Sequence, residues 1–118
     1  MGTFSVEVEI GDPEGREFVS VNAVVDTGAT YTALPESLLH RLGVLPRADR
    51  RFRLADGRVA RLPLGVAVMR FMGEEWPVYV IFAPDESSPL LGATALEAFS
   101  LVVDPNEGRL VPADALLL

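Results

Sequence analysis

The sequence predicts a mostly β protein in which short strands form a closed β-barrel, with one or two short helices. Three observations predict this class. Apolar and polar residues alternate over several short segments, turn-forming residues separate these segments at regular intervals, and no more than two segments are suited to a helix. The 118 residues are interpreted as a single domain, residues 1–118, since a chain of this length buries about 65% of its unfolded surface around one core.

The first two strands are predicted to form a hairpin. Residues 4–10 alternate between apolar and polar side chains, which is the period of a half-buried strand. Residues 11–15 are dense in turn-forming types, and residues 17–25 read as the second strand. Asp26 follows directly, so the hairpin carries a carboxylate to the end of a sheet.

A short extended segment at residues 31–34 and a helix at residues 35–42 are predicted next. Pro35 suits the first turn of a helix, and Gly43 is placed to end it. Leu38, Leu39 and Leu42 share one face of this helix, which is therefore expected to pack on the core.

A second hairpin is predicted over residues 51–62. Asp56-Gly57 between two extended arms is typical of a tight two-residue turn. In that register Ala55 faces Arg58, and Leu54 faces Val59. Further strands are predicted over residues 66–71 and 76–82, with a turn at residues 72–75 between them, and Pro77 is expected where the second of these strands begins at a sheet edge.

Composition excludes several classes of function. The chain has no Cys and a single His, His40, so we expect neither a metal site nor a cofactor. No apolar run is long enough to span a membrane and the N-terminus has no signal-peptide features, which favours a cytoplasmic protein without membrane contact. The net charge of −7 argues against nucleic-acid binding.

The positive charge is concentrated in one segment. All ten basic residues are Arg, and seven of them lie between residues 41 and 61, where only two Asp oppose them. This segment is interpreted first as a solvated face, and alternatively as a basic rim that attracts acidic segments of a substrate or partner.

The chemistry is concentrated in Val24-Val25-Asp26-Thr27-Gly28-Ala29-Thr30, where a carboxylate and a hydroxyl precede a glycine at a strand end. This segment resembles the active-site signature of the aspartic proteases. The chain of 118 residues contains this signature only once. In this it resembles the retroviral-type, or retropepsin-like, branch of the family, in its single-domain bacterial or cellular form. Leu90-Leu91-Gly92 resembles a second family element, with Leu91 placed 65 residues after Asp26. The family's short helix and final strand then fall at residues 93–99 and 101–104.

The resemblance implies the retropepsin barrel and an aspartic endopeptidase with Asp26 as its catalytic residue. Hydrolysis of a peptide by activated water needs a base and an acid. Two carboxylates that share one proton supply both, and the aspartic proteases are themselves the standard example of such a pair. A single Asp26 cannot be both partners, so a homodimer is expected to bring two copies together at its twofold axis. The apolar tail at residues 112–118 is expected to contribute to this dimer.

The resemblance also assigns the supporting residues. It implies that one group supports the loop around Asp26: Thr27, Gly28, Ala29, Thr30, Leu91 and Gly92. It implies that the hairpin at residues 51–62 is a flap that closes over a peptide or protein substrate, with Asp56-Gly57 at its tip. The residues of this flap that are expected to bind substrate are Leu54, Ala55, Asp56, Gly57 and Arg58. Two alternatives stay open: a non-catalytic dimer that binds extended peptides by strand addition, and a structural dimer that presents the Arg-rich segment to an acidic partner.

Overall fold

The computed structural model describes residues 3–54 and 56–114, and within these ranges the chain forms nine strands and two short helices. In chain order these are β1 (Ser5–Gly11), β2 (Phe18–Val25), β3 (Thr32–Pro35), α1 (Glu36–Arg41), β4 (Ala48–Arg53), β5 (Val59–Phe71), β6 (Glu74–Ala83), β7 (Leu90–Leu91), α2 (Ala93–Ala98), β8 (Leu101–Asp104) and β9 (Arg109–Pro112). The predicted mostly β class with two short helices is confirmed. Neither of these two helices is long and apolar enough to cross a membrane.

Seven strands form one sheet in the order β1-β2-β7-β3-β6-β5-β4, and β8 pairs with β9 separately. β1 also pairs with β5, from Glu9↔Arg70 to Gly11↔Val68, so both sides of β1 have partners. β4 lies outside this ring of pairings at the edge of the sheet. The core lies inside these strands and contains Ile10, Leu39 and Val80, none of which is exposed.

The first hairpin forms as the alternation predicts. β1 and β2 pair antiparallel from Ser5↔Val24 to Gly11↔Phe18, and the turn is closed by Asp12, whose Oδ1 accepts hydrogen bonds from the backbone N–H groups of Arg16 and Glu17, both at 2.7 Å. The bond from Glu17 is the main cause that holds the pKa of Asp12 below its usual value. β2 ends at Val25, so Asp26 stands at the end of a strand as predicted.

The first helix is two residues shorter than predicted. α1 spans Glu36–Arg41, and Pro35 precedes it as the last residue of β3 because its ψ of 132° is extended. Gly43 follows the helix with φ of +78°, a left-handed conformation that favours glycine, as the prediction of a C-terminal cap requires.

The predicted register of the β4–β5 hairpin is wrong by one residue. Arg53 pairs with Val59, and the Leu54 N–H donates to the Arg58 carbonyl at 2.7 Å, so Leu54 faces Arg58 rather than Val59. The turn is longer because the Gly57 N–H donates to the Leu54 carbonyl at 2.9 Å and Gly57 has φ of +89°, the pattern of a three-residue turn that ends in a left-handed glycine. Ala55 lies outside the described residues. A shift of one residue moves each side chain of one arm to the opposite face relative to its partner.

The β5–β6 hairpin is tighter than predicted. Only Met72 and Gly73 connect the strands, and both have positive φ, 49° and 81°, as in a type I′ turn. β6 therefore begins at Glu74, and Pro77 lies within it, opposite Val68. Proline is tolerated there because β3 pairs only with the later residues of β6, from Val80 onward, which leaves Pro77 at an open edge.

Candidate active site

The two sequence motifs lie side by side. Val24 and Val25 at the end of β2 pair in parallel with Leu90 and Leu91 of β7, and the Asp26 N–H donates to the Leu91 carbonyl at 3.0 Å. β7 also pairs antiparallel with β3, through Leu90↔Ala33. β7 is therefore inserted between the strand before and the strand after the segment at residues 26–30, which we call the signature loop.

The carboxylate of Asp26 is held by its own loop. Asp26 Oδ1 accepts a hydrogen bond from the Gly28 N–H at 2.9 Å, and the Asp26 carbonyl accepts one from the Ala29 N–H at 3.2 Å. A Cβ at position 28 would lie 3.3 Å from Asp26 Oδ1, which is tighter than ordinary contact. Asp26 is half-buried and Thr27 is exposed, so the acid stands at the surface in a fixed orientation.

The start of α2 holds the other end of the signature loop. The Ala93 N–H donates to the Ala29 carbonyl at 2.7 Å, and the Thr94 N–H donates to the Thr30 carbonyl at 3.0 Å. Thr94 Oγ1 also donates to the Thr30 carbonyl, at 2.7 Å. Ala29 and Thr30 thus contribute through their backbone, which connects the loop rigidly to the second motif.

Gly92 makes the closest approach in the site. Its N–H donates to Thr32 Oγ1 at 3.1 Å, and Thr32 is the buried polar residue among the described core positions. A Cβ on Gly92 would lie 2.5 Å from both the carbonyl carbon and the carbonyl oxygen of Tyr31, so only glycine fits. Thr32 was not predicted, although its alternation with buried Leu34 in β3 could have placed it inside.

Replacing Thr32 with Val should lower the free energy of unfolding by about 1–3 kcal/mol, because the shape is kept but the buried Gly92 N–H loses its acceptor. Chemical denaturation measures this loss. Thr94→Val is the matched control. The Thr30 carbonyl keeps the Thr94 N–H as a donor in that variant, so its loss should be smaller. Equal losses in the two variants would contradict the role given to Thr32.

An aromatic cluster connects the site to the β4–β5 hairpin. The ring of Tyr31 packs edge-to-face against Phe52 of β4, with ring centroids 6.2 Å apart, and against Tyr79 of β6, at 6.0 Å. The sequence did not predict this cluster, because its members are too far apart in the chain for any local pattern to relate them.

The predicted flap residues lie at the end of this hairpin. The Arg58 guanidinium pairs with Asp56 there, with Nε 2.6 Å from Oδ2. Within the described ranges no hydrogen bond joins Leu54, Asp56, Gly57 or Arg58 to the signature loop. No group of three potential metal ligands occurs among the residues that the structure describes.

The sequence matches the family described as Aspartyl protease over residues 6–95, and the chain belongs to this family. The matched range includes the signature loop and the second motif. No individual protein with a curated description matches the sequence.

Solved structures extend the comparison to the fold. The chain is similar to the protease of EIAV, solved with the inhibitor HBY-793, at a TM-score of 0.60 and 17% identity over 98% of this chain and 94% of that one. It is similar to a retropepsin-like aspartic protease from Rickettsia conorii at 0.58 and 21% identity, over 88% and 89%. The retroviral protease-like domain of Ddi1 from Leishmania major scores 0.53 at 18% identity, over 95% and 90%. These likenesses confirm the retropepsin-like fold.

Proposed function

We propose that this protein is a homodimeric aspartic endopeptidase in which Asp26 of each subunit forms the catalytic pair. The observation that carries the proposal is the placement of Asp26 at the end of β2, with its N–H bonded to Leu91 and its Oδ1 bonded to the Gly28 N–H. A carboxylate held by a backbone N–H, on a loop that is itself fixed by backbone bonds, keeps one orientation through the reaction, which is what positioned acid–base catalysis needs.

The reaction follows from two such carboxylates in contact. The ionised Asp26 accepts a proton from water as the water oxygen attacks the peptide carbonyl carbon. The protonated Asp26 of the other subunit donates its proton to the carbonyl oxygen, which gives a tetrahedral diol. The proton taken from water then passes to the amide nitrogen and the C–N bond breaks. As it breaks, one hydroxyl of the diol returns its proton to the carboxylate of the other subunit and becomes the carbonyl oxygen of the acid product, so the pair again holds one proton. The reaction consumes one water molecule and needs no metal or cofactor.

A groove beside the signature loop supports the proposed dimer. It has a volume of about 420 Å³, and Thr27 of the signature loop is one of the residues that line it. The rest of the lining is mainly apolar and consists of Ala93, Leu96, Leu101, Val102, Val103 and Pro105, together with Glu97. Val102 is 46% exposed, so the apolar lining of the groove continues onto surface that is open to solvent. A second copy placed here would cover this surface and bring the two signature loops together. Residues 115–118 of the apolar tail lie outside the described residues.

We extend the proposal to three finer points. The pairing of β1 with both β2 and β5 supports a closed barrel. The contact of Phe52 with Tyr31, five residues after Asp26, supports a flap role for the β4–β5 hairpin. The sequence itself supports a cytoplasmic location.

The wild-type protein should digest an unfolded protein substrate, and its specific activity should rise with protein concentration as dimers form. Sedimentation should show the dimer over the same concentrations. Val102→Asp should weaken dimerisation about 100-fold or more, because an uncompensated buried charge costs about 3–5 kcal/mol. Activity should fall with the dimer fraction.

Leu45→Asp is the matched control, since Leu45 is 74% exposed and is not among the residues that line the groove. It should leave both dimer and activity unchanged. A fully active monomer would contradict the shared site. A dimer that binds extended peptides without cutting them would favour the alternative of a binding module.

A further inference from the structure

The outer face of the β4–β5 hairpin carries three arginines that the proposed reaction does not use. Phe52 packs on Tyr31, so its face of β4 is turned toward the site. Side chains alternate along a strand, so Arg51 and Arg53 lie on the opposite face. Arg61 of β5 pairs directly with Arg51 and therefore shares that outer face.

These arginines are exposed and crowded by like charge. Arg51 and Arg61 face each other in the ladder, where opposed Cβ atoms are about 4.5–5.5 Å apart and like charges destabilise the pair. Among the described residues no carboxylate lies within ion-pair distance of Arg51, Arg53 or Arg61, whereas Arg58 at the turn is paired with Asp56. An incoming carboxylate would relieve this repulsion.

The distribution of charge along the chain favours a short anionic ligand over a long one. Residues 41–61 carry a net charge of +5, so the remainder of the chain carries −12. A strand of six residues such as β4 is about 20 Å long, roughly two Debye lengths at physiological salt. A short acidic peptide can stay within this positive region, whereas a long nucleic acid would extend over the negative remainder and be repelled.

We propose that Arg51, Arg53 and Arg61 form a docking site for an acidic segment of the protein substrate, on the outer face of the β4–β5 hairpin. This inference rests on the proposed function, because it takes the segment to belong to the chain that is cut. The location supports that choice: Phe52, which lies between Arg51 and Arg53 in β4, contacts the segment that follows the signature loop. A docked acidic segment therefore holds its own chain close to Asp26 and raises the local concentration of the scissile peptide.

Binding is tested by fluorescence anisotropy with a labelled peptide containing six Glu, on the Asp26→Asn protein so that nothing is cut. The triple variant R51Q/R53Q/R61Q should raise the Kd about tenfold, as expected for the loss of three exposed ion pairs. The matched control is R16Q/R41Q/R109Q, which removes the same charge from exposed positions outside the hairpin and should leave the Kd within about twofold. A peptide with Gln in place of Glu should not bind.

Equal weakening in the two triple variants would overturn the proposal, because net charge alone would then explain binding. Tighter binding of a single-stranded oligonucleotide of the same charge would overturn it in favour of nucleic acid.

Cleavage tests whether the docked segment belongs to a substrate. With the hairpin intact, kcat/KM should be about tenfold higher for a substrate with a Glu-rich extension than for the same substrate with a Gln-rich extension, and R51Q/R53Q/R61Q should remove this difference. If the protein is active but cuts the Glu-rich and Gln-rich substrates with equal kcat/KM, the proposal is overturned. A protein that binds the acidic peptide yet cuts no substrate would contradict the proposed function instead, and would leave the peptide site standing.

Discussion

Asp26→Asn should lower the rate of peptide hydrolysis by about 10²- to 10⁴-fold, the usual contribution of positioned acid–base catalysis, with fold and dimer intact. Asn keeps the side-chain oxygen that accepts the Gly28 N–H, so the signature loop should keep its shape. What is lost is the exchangeable proton and the negative charge. The digestion rate of an unfolded substrate measures the effect, and sedimentation checks the dimer.

Inhibitor binding provides a second readout of the same prediction. An inhibitor that carries a hydroxyl at the scissile position should bind the wild type much better than Asp26→Asn.

Asp12→Asn is the control for Asp26→Asn. The Asp12 carboxylate also accepts backbone N–H groups within a turn, but that turn joins β1 and β2 at the end of the hairpin remote from Asp26. Its activity per dimer should equal that of the wild type. Hydrolysis that persists at the wild-type rate in purified Asp26→Asn would rule out the mechanism.

Gly92→Ala should lower the free energy of unfolding by about 3 kcal/mol, which corresponds to a fall in Tm of about 10 °C. The new Cβ would lie 2.5 Å from the carbonyl group of Tyr31 and 2.9 Å from the Thr32 nitrogen. These are backbone atoms of β3 and the segment before it, which cannot rotate away as a side chain can. The displacement also strains the bond from the Gly92 N–H to Thr32 Oγ1.

Gly108→Ala separates crowding from backbone conformation. Gly108 has φ of +62°, but a Cβ there would meet nothing within 4 Å. The free energy of unfolding should therefore fall only by the amount that a left-handed alanine costs, about 1–2 kcal/mol. Thermal unfolding at one fixed protein concentration compares the two variants, because the proposed dimerisation would make Tm depend on concentration. A loss in Gly108→Ala as large as that in Gly92→Ala would show that packing against β3 is not the cause.

The parts of the structure that depend on neighbours in the chain could be predicted from local sequence patterns. Alternation predicted β1, the turn-forming residues after it predicted the hairpin to β2, and adjacency placed Asp26 directly after the buried end of β2. The conformational freedom of glycine predicted that α1 ends shortly before Gly43. The resemblance of two short motifs indicated the family, because both motifs can be recognised without knowledge of their contacts.

Tertiary packing sets how distant segments of the chain meet. It inserted β7 between β2 and β3, so that Asp26 bonds to Leu91 and Gly92 packs on Tyr31. It set the register of the β4–β5 hairpin, where an Asp-Gly pair is compatible with either a two-residue or a three-residue turn. The local sequence is compatible with both registers, whereas the packing of Phe52 on Tyr31, 21 residues away, is compatible with only one of them.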